Sequence, residues 1–297
     1  MSGKLKEVRE RIKSVQSTQQ ITKAMKMVSA AKLRRAQQAI VEMRPYSNRL
    51  DKMMNNIVSN LEGDINSPFV EKREANKIAI VVITSNRGLC GAFNTNIIKE
   101  AIAKVENNYV AQRQQKNLTL IFIGKKGFDI LKKRYPDVHI VDQFVDLFSD
   151  LSFENVSRAS GYVMDGFINK QFDVVDVCYG QFKNAGVQEP KCVSFLPVQP
   201  TQKKDQVVEK KSDYLFEPSK ESLLNELIPS ILQTSFQKFV LDNHASEHGA
   251  RMTAMDNATS NADELMKELK INYNKARQEA ITKELSEIVG GAAALGG

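Results

Sequence analysis

The chain has 297 residues, 42% hydrophobic and 26% charged, which leaves room for a sizeable core or two domains and shows no apolar run near the roughly eighteen residues of a membrane span. Its net charge of +7 is uneven: residues 1–60 hold 13 Lys/Arg against 4 Asp/Glu (+9), residues 61–217 hold 21 against 20 (+1), and residues 218–297 hold 8 against 11 (−3). The basic first segment could attract the acidic last one; it lacks the interleaved aromatics and zinc-finger spacing of a nucleic-acid binder. The start, Met1-Ser2-Gly3-Lys4-Leu5-Lys6-Glu7, has no apolar signal region. Cys90, Cys178 and Cys192 form an odd, scattered set that points to a reducing compartment and no disulfide framework.

Residues 3–60 read as one long helix. A heptad register puts Leu5, Val8, Ile12, Val15, Leu33, Ala36, Ile40, Met43, Leu50, Met54, Ile57 and Leu61 on one seam. It fails in the middle, at Gln19, Thr22, Lys26 and Ser29, where the apolar residues move one position back to Ile21, Met25 and Val28. The plainer reading, preferred here, is a helix passing from one packing partner to another. The sharper one makes Gln16–Lys26 a contact zone for a separate surface. Pro45 is expected to kink the helix or start a new one.

After a connector over Glu62–Asn76 the period changes. Lys77–Thr84 is an apolar β-branched run suited to a strand buried on both faces. The turn Ser85–Asn94 leads into a helix expected over Thr95–Gln115. Further strands are expected at Leu118–Gly124, Val138–Val141 and Asp173–Tyr179, with an edge strand at Cys192–Pro197; helices are expected at Lys126–Arg134 and Phe153–Lys170. Alternating strands and helices imply a mostly parallel sheet covered on both faces. Gln202–Ser212 is polar and lysine-rich, a linker.

From about Ser219 the chain again reads as one helix, with a single proline (Pro229) and glycine (Gly249) over some seventy residues. At ~1.5 Å per residue it is roughly 100 Å long, more than a compact body of about 150 residues, ~40 Å across, can cover. The two terminal helices most simply pair antiparallel, with Ala258, Ala262, Ala276 and Ala280 allowing close approach. The fold class is therefore α/β: a long antiparallel coiled coil of N- and C-terminal helices with an inserted, mostly parallel, Rossmann-like α/β domain. The expected divisions are helix 1–62, α/β domain 76–206 and helix 213–297.

Three stretches invite chemistry. Gly88-Leu89-Cys90-Gly91 follows the first strand, where a nucleotide fold would seat phosphate, but matches neither G-x-G-x-x-G nor the P-loop; a tight turn explains both glycines. Cys90 beside Arg87 is more simply a buried thiol than a nucleophile. His244-Ala245-Ser246-Glu247-His248 matches an inverted zinc-peptidase pattern, but a third ligand must come from elsewhere, and His139 is the only other histidine; the match is treated as chance. No cofactor or metal is expected. Near the end, Arg277, Ile281 and Glu284 share a helix face and Gln278 and Thr282 another, ahead of a charge-free tail of small residues after Glu287.

The stretches Ile12–Val28, Ser85–Gly91 and Tyr273–Ala293 together closely resemble the gamma subunit of F-type ATP synthases, the central rotor shaft, and the resemblance covers essentially the whole chain. It implies a non-catalytic subunit whose terminal helices sit inside a hexamer of alternating alpha and beta subunits. ATP would be made or hydrolysed on that hexamer, driven by proton flow through a rotating ring. The α/β domain and foot would face the epsilon subunit and the membrane c-ring, with no direct insertion into the membrane. By similarity Met25 and Lys26 lie at the meeting with moving beta-subunit segments, and Arg277, Gln278, Thr282 and Glu284 match polar contacts to a beta-subunit loop. Tyr214 and Glu217 match the foot. The family often carries an acidic residue where this chain has Lys26, and no cysteine pair of the chloroplast regulatory type is seen. The resemblance implies a peripheral protein on the cytoplasmic face of a bacterial inner membrane, or a processed mitochondrial one on the matrix side. Two other readings remain: a small nucleotide-binding enzyme using the Gly88–Gly91 turn with dimerising helices, and a basic coiled-coil adaptor on nucleic acid.

Overall fold

The computed structural model describes residues 3–60, 68–71, 73–198 and 220–295. They form α1 (Gly3–Asn60), β1 (Ile78–Ile83), α2 (Phe93–Asn108), α3 (Val110–Gln114), β2 (Leu118–Ile123), α4 (Lys125–Arg134), β3 (His139–Val141), a 3₁₀ turn (Leu147–Ser149), α5 (Phe153–Ile168), β4 (Val174–Phe182), β5 (Gln188–Leu196) and α6 (Lys220–Leu295). None of the described helices is long and apolar enough to cross a membrane. The chain divides into two compact units: Met1–Ser29 with Arg251–Gly297, and Ala30–Ala250.

The larger unit is built on a five-stranded sheet in the order β3-β2-β1-β4-β5. β1 pairs in parallel with β2 and β4, β2 in parallel with β3, and β5 closes the edge antiparallel to β4. β1 is fully buried along its length, as its unbroken Ile/Val/Ala composition demands. Its side chains alternate between two cores. Ala79, Val81 and Ile83 join Ile121, Ile123, Val175 and Val177 beneath α5 and the first part of α6, where Ile228, Ile231, Leu232, Phe236 and Val240 are buried. Ile78, Ile80 and Val82 join Leu118, Leu120 and Phe122 beneath α2 and α4.

Three local expectations are corrected. The helix expected over Thr95–Gln115 stops at Asn108 and restarts at Val110. Tyr109 lies between, and its hydroxyl donates to Asp176 Oδ2 at 2.7 Å. Asp176 is a buried carboxylate on β4, and Lys104 Nζ lies 3.2 Å from the same oxygen. The helix break thus lets a side chain reach a buried charge that would otherwise have one partner fewer. Cys178 and Cys192 are directly opposed across β4 and β5 and joined as a disulfide, where the scattered sequence positions imply none. Finally, both prolines sit inside helical spans: α1 runs through Pro45 and α6 through Pro229, so Pro45 starts no new helix.

Gly124, directly after β2, has φ +96°, and a Cβ there would stand 2.1 Å from the carbonyl oxygen of Thr84. Only glycine lets the ends of β1 and β2 approach this closely.

Candidate functional site

In the smaller unit, five side-chain contacts fix how α1 meets α6. Lys4 pairs with Glu279 at 3.2 Å, Arg9 donates to the Tyr273 hydroxyl at 2.9 Å, Gln19 donates to Asp263, Thr22 and Thr259 share a hydroxyl hydrogen bond at 2.8 Å, and Lys26 pairs with Asp256. Rising numbers on α1 meet falling numbers on α6, so the pair is antiparallel. Met255, Ala262, Leu269 and Ala276 recur every seven residues on α6, and all are buried. The small Ala262 and Ala276 are buried, while Ala258 and Ala280 are half-buried.

The α1 seam is not interrupted. Leu5, Val8, Ile12, Val15, Gln19, Thr22, Lys26 and Ser29 all face inward as buried or half-buried residues at the same 3-and-4 spacing. The buried positions Leu33, Ala36, Ile40, Ser47 and Leu50 continue it. The reading of a register shift is therefore corrected. Three of the middle layers are polar because Gln19, Thr22 and Lys26 each meet a polar partner on α6. Each such layer forgoes the roughly 2 kcal/mol that burying a leucine would contribute, and recovers about 1 kcal/mol through its hydrogen bond. Of the residues one position back, Ile21 and Val28 point outward, 60% and 58% exposed, as does Met27 at 62%, while Met25 is half-buried. Over this stretch polar layers from α1 alternate with apolar residues of α6 in the seam, and a few apolar side chains of α1 stand on the otherwise polar exterior.

The residues carried over from the resemblance fall at two levels of this unit. Met25 and Lys26 are half-buried on α1, Lys26 through its pair with Asp256. Arg277, Gln278, Thr282 and Glu284 are all exposed on α6 and make no side-chain hydrogen bond or ion pair among the described residues. The antiparallel register puts Lys26 level with Asp256, some twenty residues before Arg277, so the two groups stand about 30 Å apart along the helix. Below them Ile281, Leu285, Ile288 and Val289 are exposed apolar residues. Tyr214 and Glu217 lie outside the described residues. Sequence reasoning missed the polar partners Asp256, Thr259 and Asp263; the signal was their recurrence at 3-and-4 spacing, hidden because none is apolar.

The sites of conventional chemistry are filled by the protein itself. The Ser85–Gly91 turn lies at the end of β1, between strands that run to opposite sides, where open α/β sheets bind ligands. Here Asn94 Oδ1 accepts from the Ser85 amide at 2.9 Å, Asn94 Nδ2 donates to Ser85 Oγ at 2.8 Å and to Cys90 Sγ at 3.2 Å, and Ser85 Oγ donates to the Arg87 carbonyl at 2.7 Å. Leu89 and Gly91 both take positive φ. Cys90 is buried, as expected of a thiol packed in a turn. His244 and His248 stand together on α6 with Nε2 atoms 3.1 Å apart, but no third His, Cys, Asp or Glu completes a three-residue metal cluster among the described residues.

The family model for ATP synthase matches residues 4–295, and the ATP synthase gamma chain of Cytophaga hutchinsonii is 49% identical over 98% of both chains. The chain belongs to the ATP synthase gamma-chain family. The gamma chain of Flavobacterium psychrophilum is likewise 49% identical, over 99% of both chains. Among solved structures, a chain of the Euglena gracilis mitochondrial ATP synthase OSCP/F1/c-ring assembly aligns with TM-score 0.70 and 26% identity, over 99% of this chain and 95% of that one. As a gamma chain it is a non-catalytic rotor subunit of the central stalk.

Proposed function

We propose that the paired helices, residues 1–62 and 213–297, form a shaft seated inside a hexamer of alpha and beta subunits, and that the α/β domain, residues 76–206, together with Tyr214 and Glu217, faces the epsilon subunit and the membrane c-ring. Proton flow turns the ring and this shaft with it. ADP, phosphate and ATP react on the hexamer, and the asymmetric shaft favours a different conformation at each catalytic site as it turns. Met25 and Lys26 meet moving beta-subunit segments; Arg277, Gln278, Thr282 and Glu284 meet a beta-subunit loop; the apolar end beyond Glu287 turns in a sleeve. The protein is peripheral to the cytoplasmic face of a bacterial inner membrane.

The observation that carries this reading is that Ile21 and Val28 stand exposed on one face of α1, with Met27 exposed nearby, while polar layers occupy part of the seam beneath. Such a surface is explained by an enclosing partner. The decisive experiment is co-purification from native membranes followed by cross-linking from Met25→Cys and Arg277→Cys to alpha and beta subunits. Cross-links to the hexamer from both positions support the seating. A protein that purifies as a stable monomer, without an ATPase assembly, refutes it.

A further inference from the structure

Within the larger unit α6 changes sides of the sheet. Ile228, Ile231, Phe236 and Val240 are buried with one face of β1, and Ala250 is buried with the other. Between Val240 and Ala250 the helix passes the edge of β4. The last residue of β4 paired with β1 is Cys178, opposite Val82, yet β4 runs on to Phe182. Among the described residues no strand continues along that edge, and α6 takes the place of one. Asn243 Oδ1 accepts from the Gly180 amide at 3.0 Å, and Ser246 Oγ donates to the Gly180 carbonyl at 2.9 Å. Asn243 and Ser246 are both 0% exposed. On the other side of β4, Gly180 faces Pro190, which has no N–H to give. A Cβ on Gly180 would stand 2.6 Å from Phe93 Cε2 and 3.4 Å from Ser246 Cβ, so the close approach requires glycine.

We propose that Asn243 and Ser246 are positioning residues that lock α6 to the sheet and carry torque between the α/β domain and the shaft helix, a role that rests on the rotor reading above. Apolar contacts beneath α6 are non-directional; they resist separation more than they resist sliding or twisting. Hydrogen bonds are directional. Asn243 and Ser246 lie three residues apart on one helix face and grip both polar groups of a single residue. Rolling α6 about its axis, or sliding it along that axis, therefore lengthens at least one of the two bonds. The gripped residue is itself anchored, because β4 lies between β1 and β5 in the sheet. As α6 is one helix from Lys220 to Leu295, a turn imposed on the sheet is handed along it to the stretch that pairs with α1.

The test has two arms. In the full-length protein labelled with ¹⁵N-glycine, the Gly180 amide should exchange with solvent at least about 100-fold more slowly than the amide of exposed Gly186, and Asn243→Ala should speed it by about 10-fold. Equal rates at Gly180 and Gly186 in the parent overturn the lock, and that reading needs no variant to fold. In the second arm Lys133→Cys, at an exposed position of α4, carries a bead on chains assembled with a surface-fixed alpha–beta hexamer, and the bead's angular fluctuation gives the torsional stiffness. Asn243→Ala and Ser246→Ala should each lower stiffness roughly 2-fold or more, while unloaded ATP hydrolysis stays within about 2-fold of the parent. Val163→Ala, which opens a cavity under α5 and leaves both bonds in place, should not soften the rotor. Unchanged stiffness in the Asn243 and Ser246 variants, or equal softening by Val163→Ala, overturns the torque role. A parent chain that fails to assemble with the hexamer refutes the seating and the torque role with it, while the first arm still decides the lock.

Discussion

Replacing Ile21 and Val28 together by serine separates the chain's own stability from its hold on a partner. The two side chains are 60% and 58% exposed, so most of their apolar surface is free to be covered by another molecule. Full burial of an aliphatic side chain contributes about 2 kcal/mol, so covering the free fractions contributes about 1.2 kcal/mol each and roughly 2.3 kcal/mol together. That is about a 50-fold weaker dissociation constant for the complex with the alpha–beta hexamer. Isoleucine, valine and serine have similar helix propensities, and exposed substitutions usually stay within about 0.5 kcal/mol. The isolated chain should therefore melt within about 2 °C of its parent. Thermal melts by circular dichroism give the first number and titration of a labelled chain into purified hexamer gives the second. A dissociation constant within threefold of the parent, or a melting point lowered by more than about 5 °C, would refute the assignment of these residues to an outer docking face.

Other outcomes follow from the same structure. Truncation after Glu287 removes the exposed Ile288 and Val289; torque and coupling should fall while assembly persists and ATP hydrolysis is partly retained, and loss of assembly would show the end to be a structural clamp. Asp176→Ala strands Lys104 and the Tyr109 hydroxyl, which should cost about 3 kcal/mol in urea unfolding, with Asp176→Asn intermediate because it keeps an acceptor for Tyr109. Burial, reinforced by the charge of Asp242, pushes the Tyr179 hydroxyl up to about 12, and burial with the Asp176 hydrogen bond pushes Tyr109 higher still. Both folded values exceed the unfolded value near 10, so the stabilisation is whole below pH 10 and declines as pH rises toward 12, by at most ~1.4 kcal/mol per unit for each tyrosine. Unfolding midpoints at pH 9, 10 and 11 should show this decline, and the Tyr109→Phe/Tyr179→Phe double variant should show much less of it.

The elements whose periodicity was unbroken were the ones legible in the sequence. Ile78–Ile83 could be read as a doubly buried strand because it has no polar face, and α6 as a helix because good formers fill it. What was hidden depended on partners far away in the chain. Gln19, Thr22 and Lys26 look like a failed seam until Asp263, Thr259 and Asp256 are seen opposite them. Nothing local says that the helix must pause at Tyr109; the reason is a carboxylate on β4. Cys178 and Cys192 look unrelated until the antiparallel turn of β5 sets them side by side. Residues on an exposed helix face, such as Arg277 and Glu284, carry locally no more than a shared face, and only the family resemblance suggested a role for them.

The exposed Ile21, Met27 and Val28 beside polar seam layers also bear on the fate of surplus copies. Hydrogen bonds across the seam are ones that solvent can replace at small cost, so an orphan molecule frays there readily and displays greasy surface even when intact. Both properties attract chaperones and proteases. Supply of the enclosing ring would then set how much of this polypeptide survives, matching stoichiometry by degradation without any dedicated signal.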